Sequence, residues 1–105
     1  MPKRLAFRMT LYKGFEEEYE RRHAAIWPEL QALLKETGIS NYSIFLDKES
    51  CLLIGVMKVE NETSLDDLAK HPVMKRWWDH MKDIMETHQD HSPVSIALKE
   101  VFFLG

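Results

Sequence analysis

Residues 39–59 read ISNYSIFLDKESCLLIGVMKV, and this stretch decides the fold. Its first half alternates, with Tyr42, Ile44 and Leu46 on one side, which is the two-residue period of a β-strand. The charged segment DKES then leads into a second apolar run at residues 52–59. Two such runs joined by a short polar loop predict a β-hairpin.

Strand and helix patterns continue on both sides of the hairpin. In chain order we expect a strand at residues 5–11, a long helix from Gly14 to Thr37, strands at 39–46 and about 52–59, a short helical turn at 65–68, a helix at about 73–85 and a last strand at 97–104. This β-α-β-β-α-β order predicts a ferredoxin-like α+β fold, formed by residues 1–105 as one domain.

The strand at 52–59 is apolar on both sides, with Leu53 and Met57 on one and Ile54 and Val56 on the other. In a ferredoxin-like unit both helices cover the same face of the sheet, so the second face is left bare. Soluble proteins seldom expose an apolar patch of that size. We therefore expect two copies to pair sheet to sheet as a homodimer.

Composition narrows the possible partners and compartment. The formal net charge is −3, and charges of both signs are mixed along the chain, which argues against nucleic acid binding. Cys51 is the only cysteine, so an intramolecular disulfide is excluded and a reducing cytoplasm is favoured. No apolar run approaches the roughly 18 residues of a membrane span, and the first residues lead into a strand rather than a signal-peptide core.

A histidine interrupts the apolar face of the first helix. At about 100° per residue, an arc of roughly 120° contains Phe15, Tyr19, His23, Ile26, Trp27, Leu30, Leu33 and Leu34. Charged residues, Arg22 among them, fall outside this arc. A titratable ring among apolar neighbours has the arrangement needed for proton transfer near pH 7. A core histidine bonded to a backbone carbonyl fits the pattern equally well.

Pro28 breaks the regularity of the same helix, because it has no backbone N–H and clashes with the carbonyl of Ala24. Either the helix kinks or restarts between His23 and Trp27, which would widen the space around those rings, or Pro28 begins a new helical segment and has no functional meaning.

The second long helix carries a tryptophan pair. Trp77 lies well inside the apolar arc of this helix, as a core residue does. Trp78 lies at the edge of the arc, where an indole needs a partner for its N–H or a pocket to line. Aromatic faces also pack against the C–H face of a sugar ring, which is the functional interpretation of the pair.

Several motifs run in order through nearly the whole chain. They are EYERRH at 18–23 with IWPEL at 26–30, then Asn41-Tyr42, Leu46-Asp47-Lys48, Arg76-Trp77-Trp78, Ser92-Pro93-Val94 and Glu100-Val101-Phe102. Together these motifs resemble the signature of the L-rhamnose mutarotase family. The resemblance implies a dimeric α/β barrel, which agrees with the homodimer expected from the bare sheet face.

The resemblance also implies an activity. Mutarotases of this family are isomerases that interconvert the α and β pyranose anomers of L-rhamnose, in L-rhamnose catabolism. The family's proton donor falls on His23, and its substrate-contacting positions fall on Tyr19, Tyr42, Trp77 and Trp78. The family implies no metal and no organic cofactor. The tyrosines could bond sugar hydroxyls and the indoles could pack against the ring and its C6 methyl. The second proton-transfer group stays open between water, a tyrosine and a carboxylate.

Other candidate sites and functions are weaker. The segment HQDH at 88–91 offers two imidazoles and a carboxylate, but a polar loop holds them less rigidly than zinc requires. Cys51 has no basic cluster nearby in sequence to activate it as a nucleophile. An oxygenase on the same fold and a non-catalytic sugar-binding dimer are the rival functions, because fold alone does not fix chemistry.

Overall fold

The computed structural model describes residues 2–105, which form a four-stranded antiparallel sheet and four helices. In chain order the elements are β1 (Lys3–Thr10), α1 (Glu16–Ala24), α2 (Pro28–Glu36), β2 (Ile39–Asp47), β3 (Leu52–Val59), α3 (Ser64–Lys70), α4 (Pro72–Met81) and β4 (Ile96–Leu98). The strand order across the sheet is β2-β3-β1-β4, as in ferredoxin-like folds, and the sheet of one chain is open. The predicted fold class is therefore confirmed.

The sheet has two unlike faces, which we call the helix face and the open face. On β3, Leu53, Met57 and Val59 are buried on the helix face, whereas Ile54 and Val56 on the open face are only partly buried. The helices supply the other half of the core. The buried apolar side chains are Met9, Leu11, Tyr19, Leu30, Ile39, Leu53, Met57, Val59, Met74, Trp77, Met81, Ile84 and Met85.

The expected single helix from Gly14 to Thr37 is wrong, because the chain forms two helices there. Ala24 ends α1, and Pro28 occupies the first position of α2, where its missing N–H costs nothing. Trp27 is extended, with ψ of 132°, as a residue before proline prefers. The prediction that a new helical segment begins at Pro28 is confirmed. His23 consequently lies in the last turn of α1.

The second long helix is also shorter than expected, since α4 ends at Met81 rather than near Met85. Residues beyond it pair with the end of β1 instead of continuing the helix. The Tyr12 N–H donates to the Ile84 carbonyl at 2.9 Å, and the Glu86 N–H donates to the Thr10 carbonyl at 2.9 Å. The short turn expected at 65–68 is the complete helix α3.

The last strand is the third difference: β4 spans Ile96–Leu98, not 97–104. β1 pairs with it only through Ala6, Phe7 and Arg8, although β1 itself continues back to Lys3. The chain after β4 is irregular and exposed. Arg4 holds it to the sheet through an ion pair with Glu100 at 3.1 Å and through the Phe103 ring, whose centroid lies 3.7 Å from the guanidinium carbon.

A β-bulge in β2 determines which of its side chains reach the helix face. Ser40 pairs with Lys58 and Ser43 with Val56, so Asn41 and Tyr42 together stand opposite one residue of β3. Asn41 takes up the extra length in the left-handed region, with φ of 49°, which asparagine tolerates better than most residues. The bulge changes the phase of the strand, so that Ile39 and Tyr42 both face the helices.

Replacement of Leu30 by alanine tests the core under α2. Leu30 is 1% exposed, so its loss leaves a cavity and is expected to lower the free energy of unfolding by about 2–5 kcal/mol. Gln31→Ala, at the exposed next position, is the matched control and should change the free energy of unfolding by less than about 0.5 kcal/mol. Urea unfolding at one protein concentration measures both, and equal losses would contradict this packing.

Candidate functional site

An open cleft lies between the helix face of the sheet and helices α1, α2 and α4. Its volume of about 1740 Å³ exceeds the roughly 300–1,000 Å³ of a typical ligand pocket, because it opens broadly to solvent. The five residues singled out from the sequence all line it: Tyr19, His23, Tyr42, Trp77 and Trp78. The structure thus brings together, on three separate elements, every predicted site residue.

His23 is held in one tautomer by its own helix. Its Nδ1 lies 3.1 Å from the Tyr19 carbonyl oxygen. A carbonyl can only accept, so Nδ1 carries the proton and Nε2 keeps a free lone pair. Burial lowers the pKa of His23 below its ordinary value of 6.5, and the bond to the Tyr19 carbonyl opposes this only partly. The ring is therefore neutral at pH 7, with Nε2 able to take up a proton.

Aromatic rings fix the orientation of the imidazole. The Tyr19 ring stacks on it with centroids 4.3 Å apart, and Trp77 meets it edge-on at 5.4 Å. Trp77 is itself braced edge-on by Trp27 at 5.1 Å, and His80 lies 5.5 Å from both indoles. Trp77 is 6% exposed, so the expectation of a core residue is correct, yet the same side chain also lines the cleft.

Two phenols bring hydroxyl groups to the cleft. Tyr19 is buried, and desolvation raises its pKa, with a smaller contribution from the nearby Tyr42. Desolvation also raises the pKa of Tyr42 to about 12, although 38% of the side chain is exposed at the cleft mouth. Both groups keep their protons at neutral pH. Each can therefore donate a hydrogen bond as well as accept one.

Arg22, the residue before His23, links α1 to the end of α4. Its guanidinium donates to both carboxylate oxygens of Asp83 at 2.9 and 3.1 Å, to the His80 carbonyl at 2.7 Å and to Glu18 at 2.6 Å. Only 12% of the Arg22 side chain is exposed. Sequence analysis placed Arg22 among the charges outside the apolar arc, and spacing could not reveal a partner 61 residues away.

The loop after α4 closes one side of the cleft with Ser92 and Pro93. Its HQDH segment does not assemble a metal site: within residues 2–105, no three His, Cys, Asp or Glu side chains are placed to share an ion. His91 instead pairs with Asp79 of α4 at 3.1 Å. Among the same described residues, no helix has the length and apolar character of a membrane span.

Comparison with known proteins identifies the family. The model of the L-rhamnose mutarotase family matches residues 4–104. The L-rhamnose mutarotase of Sinorhizobium fredii is 58% identical over 101 residues, covering 95% of this chain and 96% of that protein. The L-rhamnose mutarotase of Rhizobium meliloti is 56% identical over 99 residues, covering 94% and 95%.

Solved structures agree with the sequence comparison. The crystal structure of an L-rhamnose mutarotase from Formosa agariphila superposes with a TM-score of 0.91 at 48% identity, covering 98% of this chain and 99% of that one. A putative antibiotic biosynthesis monooxygenase from Bacteroides thetaiotaomicron superposes with a TM-score of 0.63 at 14% identity, covering 96% and 90%, which is a likeness of fold alone. Because the family model matches residues 4–104 and the relatives above are 56% and 58% identical over nearly the whole chain, this chain belongs to the L-rhamnose mutarotase family.

Proposed function

We propose that this chain interconverts the α and β pyranose anomers of L-rhamnose, with His23 as the group that moves the proton. The observation that carries this proposal is the position of the His23 imidazole on a cleft lined by tyrosines and tryptophans, since a core histidine could also bond a backbone carbonyl as His23 bonds that of Tyr19. Family membership supports the reaction and the sugar. The rival oxygenase shares only the fold, at 14% identity.

The reaction needs two proton movements. His23 Nε2 accepts the proton of the anomeric hydroxyl, the C1–O5 bond breaks, and its electron pair goes to the ring oxygen, which takes a proton from a second donor. The free aldehyde then rotates about C1–C2, and the reverse transfers close the ring on its other face. General acid–base catalysis of this kind typically increases the rate by about 10²–10⁴-fold.

The second donor is a phenol of the cleft or a water that a phenol holds. Tyr19 and Tyr42 both retain their protons at neutral pH and so have one to donate, although desolvation raises the pKa of each and makes it a weaker acid. Their hydroxyls also bond the sugar hydroxyls in this proposal. Trp77 and Trp78 supply flat apolar surfaces for the C–H face of the pyranose.

The working unit in this proposal is a homodimer joined through the open faces of two sheets. The apolar side chains on the open face and the following segment are Phe45, Leu52, Ile54, Val56, Ile96, Leu98, Val101, Phe102, Phe103 and Leu104. Phe45 is 61% exposed and residues 101–104 are 58–87% exposed, which is unfavourable for an isolated chain. A second copy, with the same surface, covers this patch by two-fold symmetry.

A cytoplasmic location completes the proposal. Cys51 is a free thiol at the end of the hairpin loop, as is usual in a reducing compartment.

Replacement of His23 by glutamine tests the catalytic role. Exchange NMR between the two anomeric protons of equilibrated L-rhamnose should show acceleration by the wild-type protein, and His23→Gln should lower it by roughly 10²–10⁴-fold. His88→Gln, in the exposed loop, is the control and should keep full activity. Undiminished exchange with His23→Gln would remove this residue from the mechanism, and binding without any exchange would favour a non-catalytic sugar-binding protein.

The pH dependence follows from the lowered pKa of His23. The neutral form is the active base, so kcat/KM should stay level above pH 6.5 and fall as pH decreases through the lowered pKa. The same measurement, corrected for the buffer rate, should lose this acid limb in His23→Gln. If kcat/KM began to fall with a midpoint above pH 6.5, the inference that His23 is desolvated and neutral would be contradicted.

Placing a charge on the open face tests the homodimer. Ile54 lies in the middle of β3 on that face, so Ile54→Glu buries a carboxylate in the proposed interface and should give monomers. Ala32→Glu, on the exposed surface of α2, adds the same charge elsewhere and should leave the dimer intact. Sedimentation analysis gives the masses, and a monomeric wild-type protein would overturn this part of the proposal.

A further inference from the structure

Gly55 leaves a gap in the middle of the sheet, on the helix face. Gly55 of β3 pairs with Phe7 of β1 on one side and with Ile44 of β2 on the other. A Cβ atom built on Gly55 would lie 2.4 Å from Cζ of Phe7 and 2.6 Å from its Cε2. The tip of the phenyl ring therefore occupies the space where any other residue would carry its side chain.

This gap lets Phe7 reach across the central strand. Adjacent strands lie about 4.8 Å apart, so β1 and β2, with β3 between them, are separated by roughly twice that distance. Yet the ring of Phe7 lies only 6.2 Å from that of Tyr42, at an edge-on angle of 62°. Tyr42 lies on the helix face in regular alternation with Ile44 and Leu46. The gap at Gly55 thus lets the phenyl ring of Phe7 approach the phenol of Tyr42.

Phe7 belongs to an apolar floor of the cleft. The other partly exposed side chains of this floor are Ile44 and Leu46, and the buried side chains of Met9, Leu53 and Met57 adjoin them. None of these side chains carries a hydrogen-bonding N–H or O–H, whereas the walls hold the imidazole of His23 and the two phenols. A sugar hydroxyl turned toward the floor would lose its hydrogen bonds to water and gain none in return, which is unfavourable.

We propose that Phe7, seated in the gap at Gly55, is a specificity-determining residue that receives the C6 methyl group of the sugar. This inference rests on the proposed function. Among the substituents of the L-rhamnose ring, only the methyl group can face an apolar floor without losing a hydrogen bond. Phe7 therefore selects 6-deoxy sugars over the 6-hydroxy analogue, L-mannose, and supports Tyr42 at the same time.

Saturation-difference NMR tests the methyl contact directly. Irradiation of the aromatic protons of the wild-type protein should transfer saturation strongly to the C6 methyl protons of L-rhamnose. In Phe7→Leu, which keeps an apolar floor, the transfer to the methyl protons should fall relative to the transfer to the anomeric proton. An unchanged ratio would mean that the methyl group lies against another ring, such as an indole, and would overturn the proposal.

The kinetics of anomer exchange test the proposed preference for L-rhamnose over L-mannose. Phe7→Leu should reduce the wild-type preference for L-rhamnose over L-mannose, expressed as the ratio of kcat/KM, by roughly tenfold.

Gly55→Ala forces the phenyl ring into the cleft and should raise KM for L-rhamnose with a smaller effect on kcat. The double variant Phe7→Leu with Gly55→Ala should recover a lower KM, because the shorter leucine leaves room for the new methyl group.

The outcomes separate this inference from the proposed function. If the wild-type protein does not accelerate anomer exchange, the proposed function fails, while the methyl-to-anomeric saturation ratio still decides whether Phe7 holds the methyl group. If the wild-type protein accelerates exchange but the preference over L-mannose is unchanged in Phe7→Leu, only the inference fails. Additive losses in the double variant, instead of recovery, would also contradict the seating of Phe7 at Gly55.

Discussion

The antiparallel pairing of β1 with β3 along the full length of both strands is the interaction on which the rest of the structure depends. It forms the centre of the sheet and determines which side chains face the helices. The register also sets Phe7 opposite Gly55, so the floor of the cleft is a direct product of strand pairing. A shift of one residue would turn every one of these side chains to the other face. The helices then pack on a surface whose shape is already fixed.

The alternation of the strands and the apolar arcs of the helices were enough to predict the fold class and the order of the strands, although not the division of the first helix at Pro28, because burial on one face imposes a period on the sequence. The five candidate site residues came from the family resemblance together with the apolar arcs of the helices, and the structure places all five along one cleft. The features that could not be predicted from the sequence depend on contacts between segments that are distant along the chain. The end of α4 depends on hydrogen bonds from the Glu86 N–H to the Thr10 carbonyl and from the Tyr12 N–H to the Ile84 carbonyl, and the bulge beside Tyr42 depends on the register with β3. The position of the Phe7 ring could be predicted only if its partner on the neighbouring strand, Gly55, were known.

Charged and neutral groups are separated around α1. On one side of the helix, Arg22 joins Glu18 to Asp83, and the hydrogen bonds from Arg21 and Arg22 lower the pKa of Glu18 to about 2. On the other side, His23 and Tyr19 line a cleft where desolvation favours neutral forms. The ion pairs fix the helix against α4 without placing a counter-charge on the imidazole. This is the condition under which a histidine can both take and return a proton near pH 7.

The bulge at Asn41 and Tyr42 has a consequence beyond the cleft. In residues 2–105, β2 and β4 are the two outer strands of the sheet, and such edges are templates for aggregation when they are long and flat. One edge is interrupted by the bulge, with its left-handed asparagine, and the other is only three residues long. Neither offers a continuous row of backbone groups for another chain to extend into a fibril. Sheet growth by edge addition is thereby discouraged, although the chain exposes so much apolar surface.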